Sequence, residues 1–198
     1  MRRIAVFVLL FSLIAAQALA IAPVQTAMFR DAQEYGRRQA EKPYSAFVAP
    51  WTAFEEKAQK LSQFTDHAQI FTPYLLVAVN ARENTLRRQP LRLEDSEKAL
   101  AAYDGYLVFS VTVFSEKAYS SLAAKLSQDK QTLPAYYISP PVRTTYSMKD
   151  KTLASVQAYV YFPDKTIAFN RPLFLQINDP EDRGRQTRTF FFDLEKLL

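Results

Sequence analysis

The apolar positions of this chain follow three successive spacings. From Ile4 to Ala16 they form an almost unbroken run, interrupted only by Ser12. From Val24 to about residue 102 they recur at helical intervals among Ala, Gln, Glu, Lys and Arg. From about residue 103 onward Val, Tyr, Phe and Thr alternate with period two. A helix returns to one face about every 3.6 residues and a strand at every second residue, so the last two spacings predict different structures.

In the middle segment, Val24, Met28, Ala32 and Tyr35 share a face and predict a helix over Val24–Lys42, ended by Pro43. Thr52-Ala53-Phe54-Glu55 matches a capping box and predicts a second helix over Thr52–Phe64, with Trp51, Phe54, Ala58 and Leu61 on one side. Thr72-Pro73 reads as a third helix start, with Thr as cap and Pro where the N–H has no partner anyway. The apolar run Tyr74–Val79 that follows also suits a buried strand, but Ala78, Ala81, Arg82 and Glu83 favour the helix. A short helix over Ser96–Ala102, capped by Asp95 or Ser96, completes the set.

In the last segment, Tyr106–Phe114 predicts a strand with Leu107, Phe109, Val111 and Val113 on one face and Val108, Ser110, Thr112 and Phe114 on the other. Ser155–Phe162 alternates likewise, placing Tyr159 and Tyr161 opposite Val156, Ala158, Val160 and Phe162. Pro163–Thr166 predicts a turn and Ile167–Asn170 a hairpin return. Further strands are expected over Leu173–Ile177 and Thr187–Leu194, the latter with Phe190, Phe192 and Leu194 inward and Phe191 under a loop or helix. Ala118–Leu126 has helical spacing and predicts a short helix or irregular crossover. Pro140-Pro141 marks an extended, sheet-crossing loop. The expected fold class is therefore α+β: an N-terminal helical region (21–102) packed on a C-terminal antiparallel β-sandwich (103–198), the two forming one cooperative unit. On alternation and turn spacing alone, residues 103–198 resemble immunoglobulin-like sandwiches, without a diagnostic motif.

The first apolar run changes the picture of where the chain works. Arg2-Arg3, the run itself and Ala18-Leu19-Ala20 form the basic, apolar, small-residue order of a cleaved secretory signal over residues 1–20. Cleavage is expected between Ala20 and Ile21, with no transmembrane segment afterwards. Nothing but Met1 precedes the arginine pair, which argues against twin-arginine export, and no Cys offers a site for lipid. The absence of Cys from all 198 residues also excludes disulfides, thiolate metal sites and thiol nucleophiles. A disulfide-free exported chain fits a bacterial envelope, secreted or periplasmic. The 25 basic and 20 acidic residues give a net charge of +5, falling to about +3 when the leader departs. Arg37-Arg38, Arg87-Arg88 and Arg183/Arg185/Arg188 are the basic clusters, each with acidic neighbours, so no nucleic-acid stripe is present.

Candidate chemistry is sparse. His67, the one histidine, stands beside Asp66 and near Ser62, but adjacent residues at an expected helix end do not make a triad, and a lone His with no Cys is a poor start for a zinc site. Asn178–Gly184 is rich in oxygen donors, yet Pro180 and Thr189 break the calcium-loop pattern. Glu55-Glu56 and Glu94-Asp95 read as solvated helix starts. No catalytic, cofactor or metal residues are therefore assigned. The suggestive group is aromatic: Tyr136, Tyr137, Tyr146, Tyr159 and Tyr161, a platform for a protein or polysaccharide partner if its face is open. The sequence thus points to a non-enzymatic extracytoplasmic binding protein. A carboxylate-dependent hydrolase of cell-wall or extracellular polymer, and a structural accessory subunit of an envelope assembly, are the competing expectations.

Overall fold

The computed structural model describes residues 26–115, 121–147, 152–180 and 187–197. The expected leader and cleavage site, the start of the expected 118–126 crossover and residues 181–184 of the polar loop lie outside these. The described α-helices are α1 (26–38), α2 (Tyr44–Phe47), α3 (Pro73–Leu86) and α4 (Leu93–Ala101). Ten described strands form two antiparallel sheets, so the chain is α+β and mostly sheet. Contacts divide it into two compact units, Met1–Glu41 with Leu76–Leu100 and Lys42–Leu75 with Ala101–Leu198.

The first unit is helical. Within the expected Val24–Lys42, residues 26–38 are helical and give way to a turn before Pro43. Ala32, Ala78 and Ala81 are fully buried, and a Cβ added to Gly36 would fall 2.9 Å from Ala81 Cβ and closer still to the Ala78 carbonyl oxygen. Small residues therefore let α1 approach the α3 backbone at Gly36. Gln33 ties α1 to α4 by donating to Ser96 Oγ at 2.8 Å and to the Arg92 carbonyl at 3.3 Å. That bond corrects the expected role of Ser96. It is a buried acceptor inside α4, which starts at Leu93 with Glu94 and Asp95 in its first turn, where acids oppose the helix dipole. At α3 the expected cap is present, the Leu75 amide donating to Thr72 Oγ1 at 3.2 Å, and Tyr74–Val79 is helical.

In the second unit, one sheet has the order β1 (Thr52–Phe54), β2 (His67–Phe71), β3 (Tyr106–Ser115), β8 (Thr152–Pro163), with β6 (Tyr137–Ile138) and β7 (Val142–Ser147) both on the far side of β8. The other has the order β10 (Arg188–Phe192), β9 (Leu173–Asn178), β4 (Ala123–Gln128), β5 (Gln131–Pro134). The predicted alternation of β3, β8 and β9 holds, and the inward residues Phe109, Val160, Phe162, Leu175, Ile177 and Phe190 are fully buried. Phe109 of the first sheet meets Phe192 of the second, their ring centres 5.2 Å apart. At one margin the sheets are joined: Glu55 bridges to Phe190, and the Glu56 amide donates to the Thr189 carbonyl at 2.9 Å.

Several expectations are overturned. Thr52–Phe64 is not a helix. Thr52 Oγ1 donates back to the Val48 carbonyl at 3.0 Å, and Glu55 accepts from the Lys57 amide, so neither side chain caps. Pairing of Thr52 with Gln69 and of Phe54 with His67 decides the backbone instead. Trp51 is buried, but Phe54 is 39% and Leu61 59% exposed, so they share no buried face. The sheet thus recruits β1 and β2 from the region expected to be helical. Ala123–Gln128 is strand β4, because β9 on one side and β5 on the other satisfy its backbone.

No hairpin strand follows β8, whose two sides are already taken by β3 and by β6 and β7. Residues 167–170 instead lead to the other sheet, and the Gln128 side-chain amide substitutes for a strand there. Its Oε1 accepts from the Ala168 amide at 2.8 Å and its Nε2 donates to the Ala168 carbonyl at 2.9 Å. Pro140-Pro141 does not cross between sheets, since β6 before it and β7 after it both pair with β8. The crossing lies one connection earlier, between β5 and β6. Leu194 is buried but follows the last strand, in a 3-10 turn, and Phe191 is 43% exposed against Phe174 rather than covered.

Two mutational outcomes follow from this packing. Phe192→Ala should lower unfolding free energy by about 3–5 kcal/mol, as for a buried aromatic, and Phe191→Ala by about 1 kcal/mol or less, read from denaturant melts. Gly36→Ala gains helix propensity worth about 1 kcal/mol but overpacks against backbone, so a net loss of about 1–2 kcal/mol and a lower melting temperature are expected.

Candidate functional site

The outward face of the β1–β8 sheet carries the candidate site. Strand pairing aligns its residues in rows across the strands. One row is Thr52, Gln69, Ser110 and Tyr159; the next is Phe54, His67, Thr112 and Gln157. A third runs Phe71, Val108, Tyr161 and Tyr137. Because side chains alternate across a sheet, every residue in these rows faces away from the Phe109 core.

Four of the five sequence-selected tyrosines come together on this face. Tyr161 meets Tyr137 at 5.5 Å and Tyr106 at 6.2 Å between ring centres, and Tyr106 meets Tyr136 at 5.4 Å. Tyr159 contacts Phe71, which stacks on Tyr103. These spacings are those of tilted and edge-on aromatic pairs. Tyr136 is 69% and Tyr137 49% exposed, so the cluster opens to solvent. Tyr146 is separate, packed with Phe64 and Phe114 beyond the polar rows.

Between the two aromatic groups lies an open cleft of about 390 Å³ over the polar rows, walled by Tyr44–Ala49 and by Ser62 and Gln63. Among the described residues, no Asp, Glu, Lys or Arg lines it. Gln69 Nε2 donates to the Tyr44 hydroxyl at 3.3 Å, and Gln157 Nε2 donates to Ser110 Oγ at 3.0 Å. His67 stands at the start of β2, not at a helix end, because β2 pairs from its first residue with both β1 and β3. Its Nδ1 lies 2.9 Å from the Thr65 carbonyl. A carbonyl only accepts, so Nδ1 carries the proton, and in the neutral imidazole Nε2 keeps an acceptor lone pair.

The other candidates are dispersed. Asp66 turns from His67: its Oδ1 accepts from the Phe114 amide and its Oδ2 from Arg188 Nε, both at 2.7 Å. Ser62 Oγ accepts from the Phe64 amide at 3.2 Å. Glu55 and Glu56 lie at the junction with β10, and Glu94 and Asp95 lie in the helical unit. Of the oxygen-rich loop, Asn178 ends β9 and Asp179 is buried. Sequence reasoning missed Tyr44, Phe54, Gln69 and Gln157. The outward positions of Ser110 and Thr112 were visible in the alternation, whereas those of Phe54 and Gln69 were hidden by the helical reading of their segment.

Burial pushes the phenols of Tyr103, Tyr106 and Tyr161 above their usual value. Neighbouring tyrosines add to it: Tyr161 and Tyr159 on Tyr103, Tyr136 on Tyr106, and Tyr137 on Tyr161. A raised phenol holds its proton more tightly when folded. Its contribution to stability is therefore complete below the unfolded value of about 10 and is lost as pH climbs through the higher folded value. A phenolate absorbance titration should show a late-ionising subset that disappears in denaturant. Replacing Tyr103 and Tyr161 with Phe should shrink that subset, and an unchanged curve would contradict the assignment.

No family model matches the chain, and no curated protein matches it. Among solved structures it is similar to a protein of unknown function from Burkholderia pseudomallei, at 11% identity over 84% of this chain and 90% of that one, with a TM-score of 0.43. It is also similar to the ectodomain of mouse nectin-like molecule 4, at 12% identity over 44% of this chain and 27% of that one, with a TM-score of 0.24.

Proposed function

We propose that this chain is a non-enzymatic bacterial binding protein, exported after loss of residues 1–20, that engages an envelope or extracellular partner through the outward face of the β1–β8 sheet. The reading includes an immunoglobulin-like sandwich made by the two sheets, supported by the Phe109–Phe192 contact between their apolar faces. The observation that carries the binding role is the solvent-open ring cluster of Tyr136, Tyr137 and Tyr161 with Tyr106. Tyrosine offers a large rigid contact area with few rotatable bonds and a polar tip, so ordering it on binding costs little. Placed together on one face, such rings form a surface whose burial by a partner is favourable. The basic, apolar and small-residue order of residues 2–20 supports export, and among the described residues no helix is long and apolar enough to cross a membrane.

The test is cosedimentation of the exported protein with isolated bacterial envelopes. N-terminal sequencing of that protein should begin at Ile21. The exported chain should cosediment, and replacing both Tyr136 and Tyr137 with Ser should weaken this at least tenfold with an unchanged melting temperature. Equal cosedimentation of wild type and variant would overturn the assigned face, and a mature chain that retains Arg2 would overturn the export step.

A further inference from the structure

We infer that the cleft beside the tyrosine cluster is a binding site for a neutral saccharide, of mono- to disaccharide size. This deepens the preceding proposal, and rests on it, by naming a ligand class for the same sheet face. The first observation is charge. In a chain where 23% of residues are charged, no Asp, Glu, Lys or Arg is among the described residues that line the cleft. Among the described residues, an anionic ligand such as a phosphate or nucleotide finds no Lys or Arg here, and a cationic ligand finds no carboxylate. The second is polarity. The floor is not apolar, since Gln69, Ser110, Thr112 and Gln157 present amides and hydroxyls across three adjacent strands. Burying a lipid chain against these groups would leave them unpaired, at a cost for each.

The remaining class is neutral, polar and rich in groups that both donate and accept. Sugar hydroxyls have that character, and a primary amide matches them by offering a donor and an acceptor side by side. The Gln69 and Gln157 amides are held in place through their Nε2 atoms, and each has a carbonyl oxygen those bonds do not use. His67 is fixed through Nδ1, which leaves its Nε2 as the ring atom turned to a ligand. The third observation is the pair of aromatic side chains in the wall. Tyr44 is 42% and Phe54 39% exposed, and both line the cleft. The C–H face of a sugar ring packs on such a surface while its hydroxyls reach the polar floor. At about 390 Å³ the space falls at the small end of ligand pockets, roughly 300–1,000 Å³.

The experiment is a titration of the folded protein, followed by NMR amide shifts, with maltose, cellobiose and N,N′-diacetylchitobiose. Glucuronic acid, inorganic phosphate and an uncharged Gly-Ser peptide serve as the competing classes. At least one neutral disaccharide should bind saturably, shifting amides of β2, β3 and β8. Gln157→Leu, at an exposed position, and the near-isosteric Thr112→Val should each weaken that binding at least tenfold without changing the melting temperature. No saturable binding of any of the three disaccharides, equal binding by the Gln157→Leu and Thr112→Val variants, or tighter binding of the acid, phosphate or peptide would overturn the inference. If disaccharide binding fails while envelope cosedimentation persists and still depends on Tyr136 and Tyr137, the cleft assignment falls alone. If both fail, the reading of the sheet face falls with it.

Discussion

The Asp66 carboxylate is the point on which the β unit depends. Its Oδ1 holds the Phe114 amide near the end of β3, and its Oδ2 holds Arg188 at the start of β10. Its own carbonyl accepts from the Glu55 amide, just past β1. One residue thus gathers three segments, and two of its partners lie 48 and 122 positions away in sequence. The Asp66 and Arg188 side chains are only 14% and 20% accessible. For a pair so enclosed, mutual attraction is largely offset by the cost of leaving water. Its force as a constraint is that removing Arg188 leaves the largely enclosed Asp66 carboxylate without the guanidinium it faces. It therefore fixes where β10 begins, and with it the contact of Phe192 on Phe109.

That fixed start matters because strand register is an all-or-none choice. A slip of one residue would send every inward side chain of a strand outward. The Asp66 contact with Phe114 lies immediately ahead of β2 and close to the end of β3, so it sets the pairing of His67 with Thr112 and of Gln69 with Ser110. β8 continues the same rows with Gln157 and Tyr159. The polar cleft floor and the tyrosine cluster are consequences of one register shared by neighbouring strands. The floor of the cleft is accordingly built on paired backbone rather than on loops, which suits side chains that must keep their relative positions.

What was legible in the sequence was whatever one segment decides for itself. The alternation of β3 and β8 reflects two different surroundings on the two sides of a strand, and it separated Tyr159 and Tyr161 from Val156, Ala158, Val160 and Phe162 correctly. Thr72-Pro73 is a local device and worked as one. Failures came where a distant partner decides. Thr52–Glu55 has the composition of a capping box, but Gln69 and His67 offer it a strand, and the ladder outweighs the cap. Ala123–Gln128 lacks strong strand formers and becomes a central strand because β9 and β5 are both available. The return hairpin after Pro163 was reasonable until the far side of β8 proved to be occupied. The cleft escaped notice for the same reason: its residues come from separate segments, and no local spacing brings Tyr44 to Gln69.

An open aromatic face brings a hazard, because sheets with unpaired edges associate side by side, and exposed rings strengthen that tendency. The edges here are closed by specific means. On the β1 side, the Glu55 bridge to Phe190 and the Glu56 amide bond to Thr189 occupy backbone groups of both sheets where two edges would otherwise lie free. On the β8 side, Pro140-Pro141 splits the edge into the two residues of β6 and the six of β7, and a proline has no N–H to offer an incoming strand. The edge strand β5 is four residues long and ends at Pro134. Short or proline-broken edges leave little template for lateral growth, while the face perpendicular to them stays open. A sheet guarded at its margins can present tyrosines to solvent while offering little backbone for lateral strand pairing.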